Sequence, residues 1–387
     1  MSDEETNIGY TGFEQGPIRP PSEAQSLLLR LTRNCPWNRC SFCPVYKQAR
    51  FSLRPLEHIL ADIDAVHRQL QRLQQLSGDR GESGYPEVAE LAAGLSESDQ
   101  RALIAASNWL TDGMESIFLQ DANSLVLKPD ELVVILEQIR LRFPSVARIT
   151  SYARSQTIDR ISVTDLERIA DAGLNRIHIG LESGSNLVLA RVQKGCDQAQ
   201  HIRAGLKVKQ AGIQLSEYVI PGLGGRELSR EHALETAEAL NRINPDFIRL
   251  RSLAIPRHTE LFGQWQSGEF EKLGDREVTE EIFLFLEALE GISSTMKSDH
   301  ILNLFQELEG TFPEDKQAML GVIQRFQSLP AEEQMVYQVG RRIGVFSGLD
   351  DLARPERRAR AVDVCTRFGV TPQNIDKVID ELMQRFI

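Results

Sequence analysis

Six short apolar runs recur through the first two thirds of the chain, separated by stretches with the periodicity of amphipathic helices. They are "SLLLRLT" (26–32), "SIFLQD" (116–121), "ARITSYA" (147–153), "NRIHIG" (175–180), "IQLSEYVI" (213–220) and "DFIRLRSLAI" (246–255). Apolar and β-branched blocks of this length read as buried strands. Between them, "PDELVVILEQIRLRF" places Pro129 in a first helical turn and Leu132, Leu136 and Ile139 on one face. Ser162 with Asp165 three residues on reads as a capping box, and Gly173 as the stop of that helix. Strand and helix alternating in this way require a parallel sheet, so the expectation is an α/β fold with six parallel strands.

Two stretches depart from the alternation. Residues 54–112 are too long for one crossover: 56–76 reads as a helix, "SGDRGESGYP" as a mobile loop and "SESDQRALIAASNWL" as a second capped helix, giving a helical insertion at about 77–112. From 276 to 387 helices dominate, ending in "TPQNIDKVIDELMQRFI" with an apolar stripe of Ile375, Val378, Ile379 and Leu382, which reads as a C-terminal helical domain. Residues 1–25 are polar and read as an N-terminal arm, leaving 26–275 for the α/β domain. No apolar run is long enough to span a membrane and no secretory signal is visible, so a cytoplasmic protein is expected. A formal net charge of −11 over 387 residues argues against a protein that coats nucleic acid, although a local basic cleft remains compatible with it.

The chemistry concentrates in "RNCPWNRCSFCPVYK" (33–47), which carries Cys35, Cys40 and Cys43 in a C-x4-C-x2-C spacing. This loop directly follows the first strand, and in a parallel α/β barrel that position is the rim where active sites are built. Five cysteines in all, an odd number with three crowded together, point to a metal in a reducing compartment rather than to a disulfide framework. Three thiolates can hold three irons of a [4Fe–4S] cluster and leave the fourth iron free for a small molecule. The alternatives are a zinc site completed by His58 or His67, and three plain free thiols. Cys196 and Cys365 stand too far from the others to join them.

With "CSFC", "FLQDANS" (118–124), "HIGLESGSN" (178–186) with "QKG" (193–195), and "YVIPGLGG" (218–225), the chain resembles the radical S-adenosylmethionine (SAM) superfamily over residues 26 to about 256. The fourth-strand segment is similar to the branch that includes oxygen-independent coproporphyrinogen oxidases. The C-x4-C-x2-C spacing departs from the superfamily's usual C-x3-C-x2-C by one inserted residue. The resemblance implies a partial six-stranded (β/α)6 TIM-like barrel, a [4Fe–4S] cluster on Cys35, Cys40 and Cys43, and SAM bound beside it. It implies that the reduced cluster cleaves SAM to a 5′-deoxyadenosyl radical that abstracts hydrogen from a substrate. On this reading Phe42 belongs to the cluster loop, and Asp121 with the carbonyls of Ala122 and Asn123 receives the SAM ammonium. Arg154 holds the carboxylate, Glu182 the ribose with Ser183 and Gly184 allowing close approach, and Gly222 in the glycine turn with Gly224 and Gly225 borders the adenine.

The substrate is a small molecule or peptide that these residues leave unnamed, with His300, Tyr46 and Lys47 as candidate catalytic groups. An external electron donor such as flavodoxin or ferredoxin is implied. "GISSTMKSDHILNLF" (291–305) reads as a short strand passing at Ser298 or Asp299 into a helix with Ile301, Leu304 and Leu308 inward, which would bring Asp299, His300 and Asn303 to the rim. Two other readings stand beside this one: a coproporphyrinogen-type oxidative decarboxylase, and a non-catalytic iron–sulfur electron carrier or SAM sensor.

Overall fold

A computed structural model of the chain describes residues 9–80 and 88–384. Ten strands lie among them: β1 Leu27–Arg30, β2 Thr32–Arg33, β3 Ser52–Leu53, β4 Ser116–Gln120, β5 Arg148–Ala153, β6 Arg176–Glu182, β7 Gln214–Val219, β8 Phe247–Leu250, β9 Thr295–Lys297 and β10 Gly310–Thr311. Eight of them form one sheet in the order β1-β4-β5-β6-β7-β8-β9-β10, and β2 and β3 make a separate ribbon. β1–β4, β4–β5, β7–β8 and β8–β9 pair in parallel, whereas β10 returns antiparallel to β9. All six apolar runs are strands of this sheet. The expected count of six barrel strands falls short of the sheet's eight: β9 is the short strand read at the start of "GISSTMKSDHILNLF", and β10, two residues long, carries too little apolar sequence to register as a strand. Among the described residues no helix is long and apolar enough to cross a membrane.

The chain divides into two compact units. The first comprises the residues up to Pro36, Gln48–His178 and Gln210–Ile213; the second comprises Trp37–Lys47, Ile179–Lys209 and Gln214 onward. In the first unit, Ser96 and Ser162 accept hydrogen bonds from the N–H groups of Asp99 and Asp165, capping the helices Glu97–Thr111 and Val163–Asp171 as expected. The helix Pro129–Arg142 buries Leu132, Ile135, Leu136 and Ile139. The first crossover helix runs Leu56–Arg80, a turn beyond the expected end at 76, and residues 81–86 of the expected loop lie outside the described residues.

The segment before β1, read from its polarity as an arm, is pinned to this unit. Phe13 is buried, the Gly16 N–H donates to Gln120 Oε1 at 2.8 Å, and Gln120 Nε2 donates to the carbonyls of Gly16 and Ile18 at 3.1 and 2.5 Å. Glu23 is fully buried, where its Oε2 accepts from Ser26 Oγ at 2.6 Å and Arg148 Nη2 at 3.2 Å, and His178 Nε2 stands 3.5 Å from Oε1. Burial alone would raise this carboxyl's pKa, but bonding to His178 and Ser26 and the charge on Arg148 outweigh it and bring it down to about 2.

The second unit holds β7, β8, β9 and the C-terminal helices. Ile375, Ile379 and Met383 form the buried stripe of the last helix, Ile375–Met383. After β9 the chain runs through turns rather than the expected helix, and Ile301 is 64% exposed while Leu304 and Leu308 are buried. The reason is polar. Arg342 donates to the carbonyl of Leu302, Arg341 to those of Asn303 and Leu304, and Tyr337 also to Leu304, so these carbonyls find partners other than helix N–H groups. Asn303 bonds Ser252, the Leu250 carbonyl and Ser298, which locks the turn from inside.

A depressed carboxylate pKa contributes stability above its unfolded value and loses it as pH falls through the folded value. Glu23→Gln is therefore expected to cost about 3 kcal/mol at pH 7, with wild type and variant converging as pH falls from about 4.5 toward 2. Urea unfolding at pH 7 and pH 3.5 checks this; an equal difference at both would exclude the assignment.

Candidate active site

In the first unit the residues after β1, β4 and β5 come from loops that parallel pairing brings to one edge. Asn34, in the left-handed region at φ 67°, donates its N–H to Asp121 Oδ2 at 3.2 Å, immediately before Cys35. Asp121 is buried, and Arg30 Nε and Nη2 donate to the same oxygen at 3.0 and 2.7 Å. This carboxylate thus holds β1 and the start of the cysteine loop, an engagement that the expected ammonium contact did not include. The Asn123 side chain is likewise committed: Nδ2 donates to Thr157 Oγ1 at 2.8 Å and Oδ1 accepts the Arg154 N–H at 3.1 Å, orienting the head of the helix Ser155–Arg160. Ala122 is half-buried in the turn between them.

In the second unit, residues 37–47 of the cysteine loop are fastened along their length. The Ser41 N–H donates to the Val192 carbonyl and the Ser41 carbonyl accepts from Leu261, both at 3.0 Å. Phe42 packs on an apolar cluster that includes Val188, Val192, Ile220, Leu223 and Leu261. Asn38 Nδ2 donates to the Tyr46 carbonyl at 2.5 Å and Lys47 Nζ to the Asn38 carbonyl at 3.3 Å, so Tyr46, which is buried, and Lys47 close the loop on itself. Cys40 is buried and Cys43 half-buried. Ser41 Oγ, buried between Cys40 and Phe42, has no hydrogen-bond partner among the described residues. A buried hydroxyl beside soft thiol donors suits a sulfide-rich cluster, whose sulfurs accept hydrogen bonds.

At the end of β6, Glu182 stands at φ 63° and its Oε1 accepts from Lys194 Nζ at 3.0 Å. Gly180 makes room for this, since a Cβ there would lie 2.0 Å from Glu182 Oε1. Ser183 and Gly184 are packed against the helix Ser229–Ile243. Ser183 Oγ bonds His232 Nδ1 at 2.8 Å, the Gly184 N–H donates to Thr236 Oγ1 at 2.8 Å, and a Cβ on Gly184 would meet the Glu235 carbonyl oxygen at 2.3 Å. Gly222 also has a structural partner, its N–H donating to Glu281 Oε1 at 2.6 Å.

Sequence reasoning missed Glu217. It lies fully buried in β7, and neither carboxylate oxygen meets a donor in hydrogen-bonding geometry among the described residues. Burial pushes its carboxyl well above the usual range against the pull of Lys194 and of the nearby Leu181 N–H, and Glu182 adds to the rise. The signal was present: an acidic residue inside the apolar run "IQLSEYVI". His300 is held by burial, and by the charge of Arg251, at a pKa of about 4 against the opposing charge of Asp299. Asp299 is ion-paired with Arg249, and His300 Nδ1 accepts the Leu302 N–H at 3.3 Å.

The model of the Radical SAM superfamily matches residues 29–240, more than half of the chain. The chain belongs to this superfamily. It is a radical SAM enzyme, and members of the superfamily use a [4Fe–4S] cluster and SAM. The tRNA uridine(34) acetyltransferase of Methanocaldococcus jannaschii is 20% identical over 297 residues, covering 73% of this chain and 52% of that protein. The protein of the same name from Methanocaldococcus infernus is 24% identical over 125 residues, covering 32% and 23%. The chain thus spans about half or less of the length of these relatives. Among solved structures, coproporphyrinogen III oxidase from Escherichia coli matches at 11% identity over 94% of this chain and 90% of that one, with a TM-score of 0.45. Of the histidines weighed for zinc, the His58 ring packs against Tyr10 with centroids 5.4 Å apart, and His67 against Phe143 at 5.9 Å.

Removing one partner of a buried ion pair leaves the other uncompensated. Asp121→Ala is therefore expected to lower the stability of the cluster-free protein by roughly 3 kcal/mol, and Asp121→Asn by less. Chemical denaturation of the three proteins checks this; an unchanged midpoint in Asp121→Ala would show that the pair is not structural.

Proposed function

We propose that Cys35, Cys40 and Cys43 ligate the cluster and that SAM is held by the Glu182, Lys194 and Glu217 group with the Ala122 and Asn123 carbonyls and Arg154. Bound together, the reduced cluster and SAM supply a 5′-deoxyadenosyl radical that abstracts hydrogen from an organic substrate. The observation that carries the assignment is the Glu217 carboxyl group, buried beside the Glu182–Lys194 pair with the Leu181 N–H approaching it but no donor in full hydrogen-bonding geometry among the described residues. A ribose diol brings two hydroxyl groups, which would satisfy Glu182 and Glu217 while Lys194 stays paired with Glu182. Burial on this scale keeps bulk water from competing for those bonds. His300, neutral at pH 7, can accept or donate a hydrogen bond toward substrate without adding charge.

For the substrate we put first a uridine of tRNA, supported by the names of the two archaeal relatives. The overall charge of −11 opposes it, and of the basic residues at 30–54, Arg30, Arg33 and Arg54 are ion-paired with Asp121, Glu14 and Asp62, which leaves Arg39, Lys47 and Arg50 as the cations this reading can use. The second reading, oxidative decarboxylation of a porphyrinogen, is favoured by "HIGLESGSN".

Anaerobic protein reduced with dithionite is expected to form 5′-deoxyadenosine from SAM, and single Cys→Ala changes at 35, 40 or 43 to abolish cluster and cleavage together. Deuterium from labelled tRNA should appear in 5′-deoxyadenosine; transfer from labelled coproporphyrinogen III instead would replace the first reading with the second. Glu182→Ala should keep the cluster and weaken SAM binding by about tenfold or more, the loss of a hydrogen bond to a charged group. His300→Ala should leave SAM cleavage intact but stop substrate turnover, and the wild-type rate should show no histidine inflection near pH 6.5. Full turnover by His300→Ala would remove that residue from the site.

A further inference from the structure

Cys196 does not belong to the cluster loop, and it is not an inert filler. Its Sγ lies 3.1 Å from His201 Nε2, and His201 is fully buried while the cysteine is half-buried. The two residues flank the start of the helix Gln198–Gln210, where Asp197 Oδ1 accepts the Gln200 N–H at 2.7 Å. An imidazole in contact and a helix N-terminus beside it both favour a thiolate. Cys365 is the internal contrast: it is buried with no such neighbour, and burial pushes its thiol up.

The thiol opens on a groove of about 400 Å³ lined by Trp37, Arg39, Asn186, Leu189 and Gln193. Arg39 lies 5.1 Å over the Trp37 ring, and Trp37 Nε1 donates to the Gln193 carbonyl at 2.7 Å. The indole presses on Gly195 so closely that a Cβ there would sit 2.4 Å from the ring. A group attached to the next residue, Cys196, therefore has to share space with Trp37, which lies inside the C-x4-C segment. Among the described residues, the titratable and charged groups near the thiol include His201 behind it, Asp197 beside it and Arg39 on the groove wall, and Lys194 pairs with Glu182.

We propose that Cys196 and His201 form a reactive thiolate–imidazolium pair that undergoes exchange with small, carboxylate-bearing disulfides bound in this groove. The thiolate attacks one sulfur of the disulfide, a protein–ligand S–S bond forms as the ligand's own S–S bond breaks, and the departing thiolate takes the proton held by His201. The small disulfide is the oxidant, and a thiol reverses the step. Arg39 supplies a cation for the carboxylate, and the adduct displaces Trp37, so that oxidising conditions would slow an enzyme that works only with a reduced cluster.

The test uses the full chain with its cluster, held anaerobically, and reads each cysteine by peptide mass spectrometry. Iodoacetamide labelling of Cys196 across pH 5.5–9.5 should show a midpoint at least about one unit below the ordinary thiol value near 8.5, with Cys365 labelling far more slowly. His201→Asn should return the midpoint to the ordinary range and slow labelling at pH 7 by about tenfold. Oxidised glutathione as probe should form a mixed disulfide at Cys196, several-fold more slowly in Arg39→Ala with the iodoacetamide midpoint unchanged, and the adduct should slow SAM cleavage until dithiothreitol is added. Cys196→Ser should retain its cluster and become insensitive to the probe. An ordinary midpoint in the wild type, or equal adduct formation in His201→Asn, overturns the proposal. If His201→Asn does not fold, the wild-type midpoint and the contrast with Cys365 decide alone.

Discussion

Parallel neighbours in a sheet cannot be joined by a tight turn, because each strand must be entered again from the end where the previous one began. Long return segments follow, and the loops leaving the carboxyl ends gather at one edge. In the first unit that edge receives Asn34 and Cys35, Asp121 to Asn123, and Arg154; in the second, the parallel strands β7, β8 and β9 lead toward Ile220, Arg251 and Asp299. Every chemically useful residue discussed above depends on this constraint for its neighbours. The helices matter to the site mainly because they make the crossovers compact.

Charge is handled differently at the two levels of the structure. Glu23 and Asp121 are buried with arginine or hydroxyl partners that tie each side chain in place, so they act as fasteners. Glu217 is buried as deeply with no such fastening, and Glu182 has one lysine. A purely structural carboxylate in that position would be replaced at no loss by an apolar residue of similar volume. The asymmetry is what supports the proposed role of Glu182 and Glu217 toward a ligand.

All six long strands were legible because their apolar blocks and the capped, periodic helices between them agree on one pattern. The superfamily was legible because the residue types of the cysteine loop and of the strand-end segments are scarce and closely spaced. What escaped was set by partners distant in sequence. Nothing local announces that Arg341, Arg342 and Tyr337 will take the carbonyls of 302–304 and replace an expected helix with turns. Nor does "ESG" reveal that its glycine accommodates the Glu235 and Thr236 backbone and its serine a buried histidine, or that the strand glutamate at 217 is fully buried. Glycine and serine beside a motif residue have two physical uses, and only packing distinguishes them.

The sheet ends on two residues. β10 runs against its neighbour, carries an exposed Thr311, and is bracketed by an ion pair between Lys297 and Glu309. A parallel sheet whose last strand exposed a long row of amide and carbonyl groups would invite a strand from a second molecule to pair there. Reversing the final strand, keeping it two residues long and placing opposite charges beside it leaves almost no template on that edge. The same device that terminates the fold also guards against its indefinite continuation from one molecule to the next.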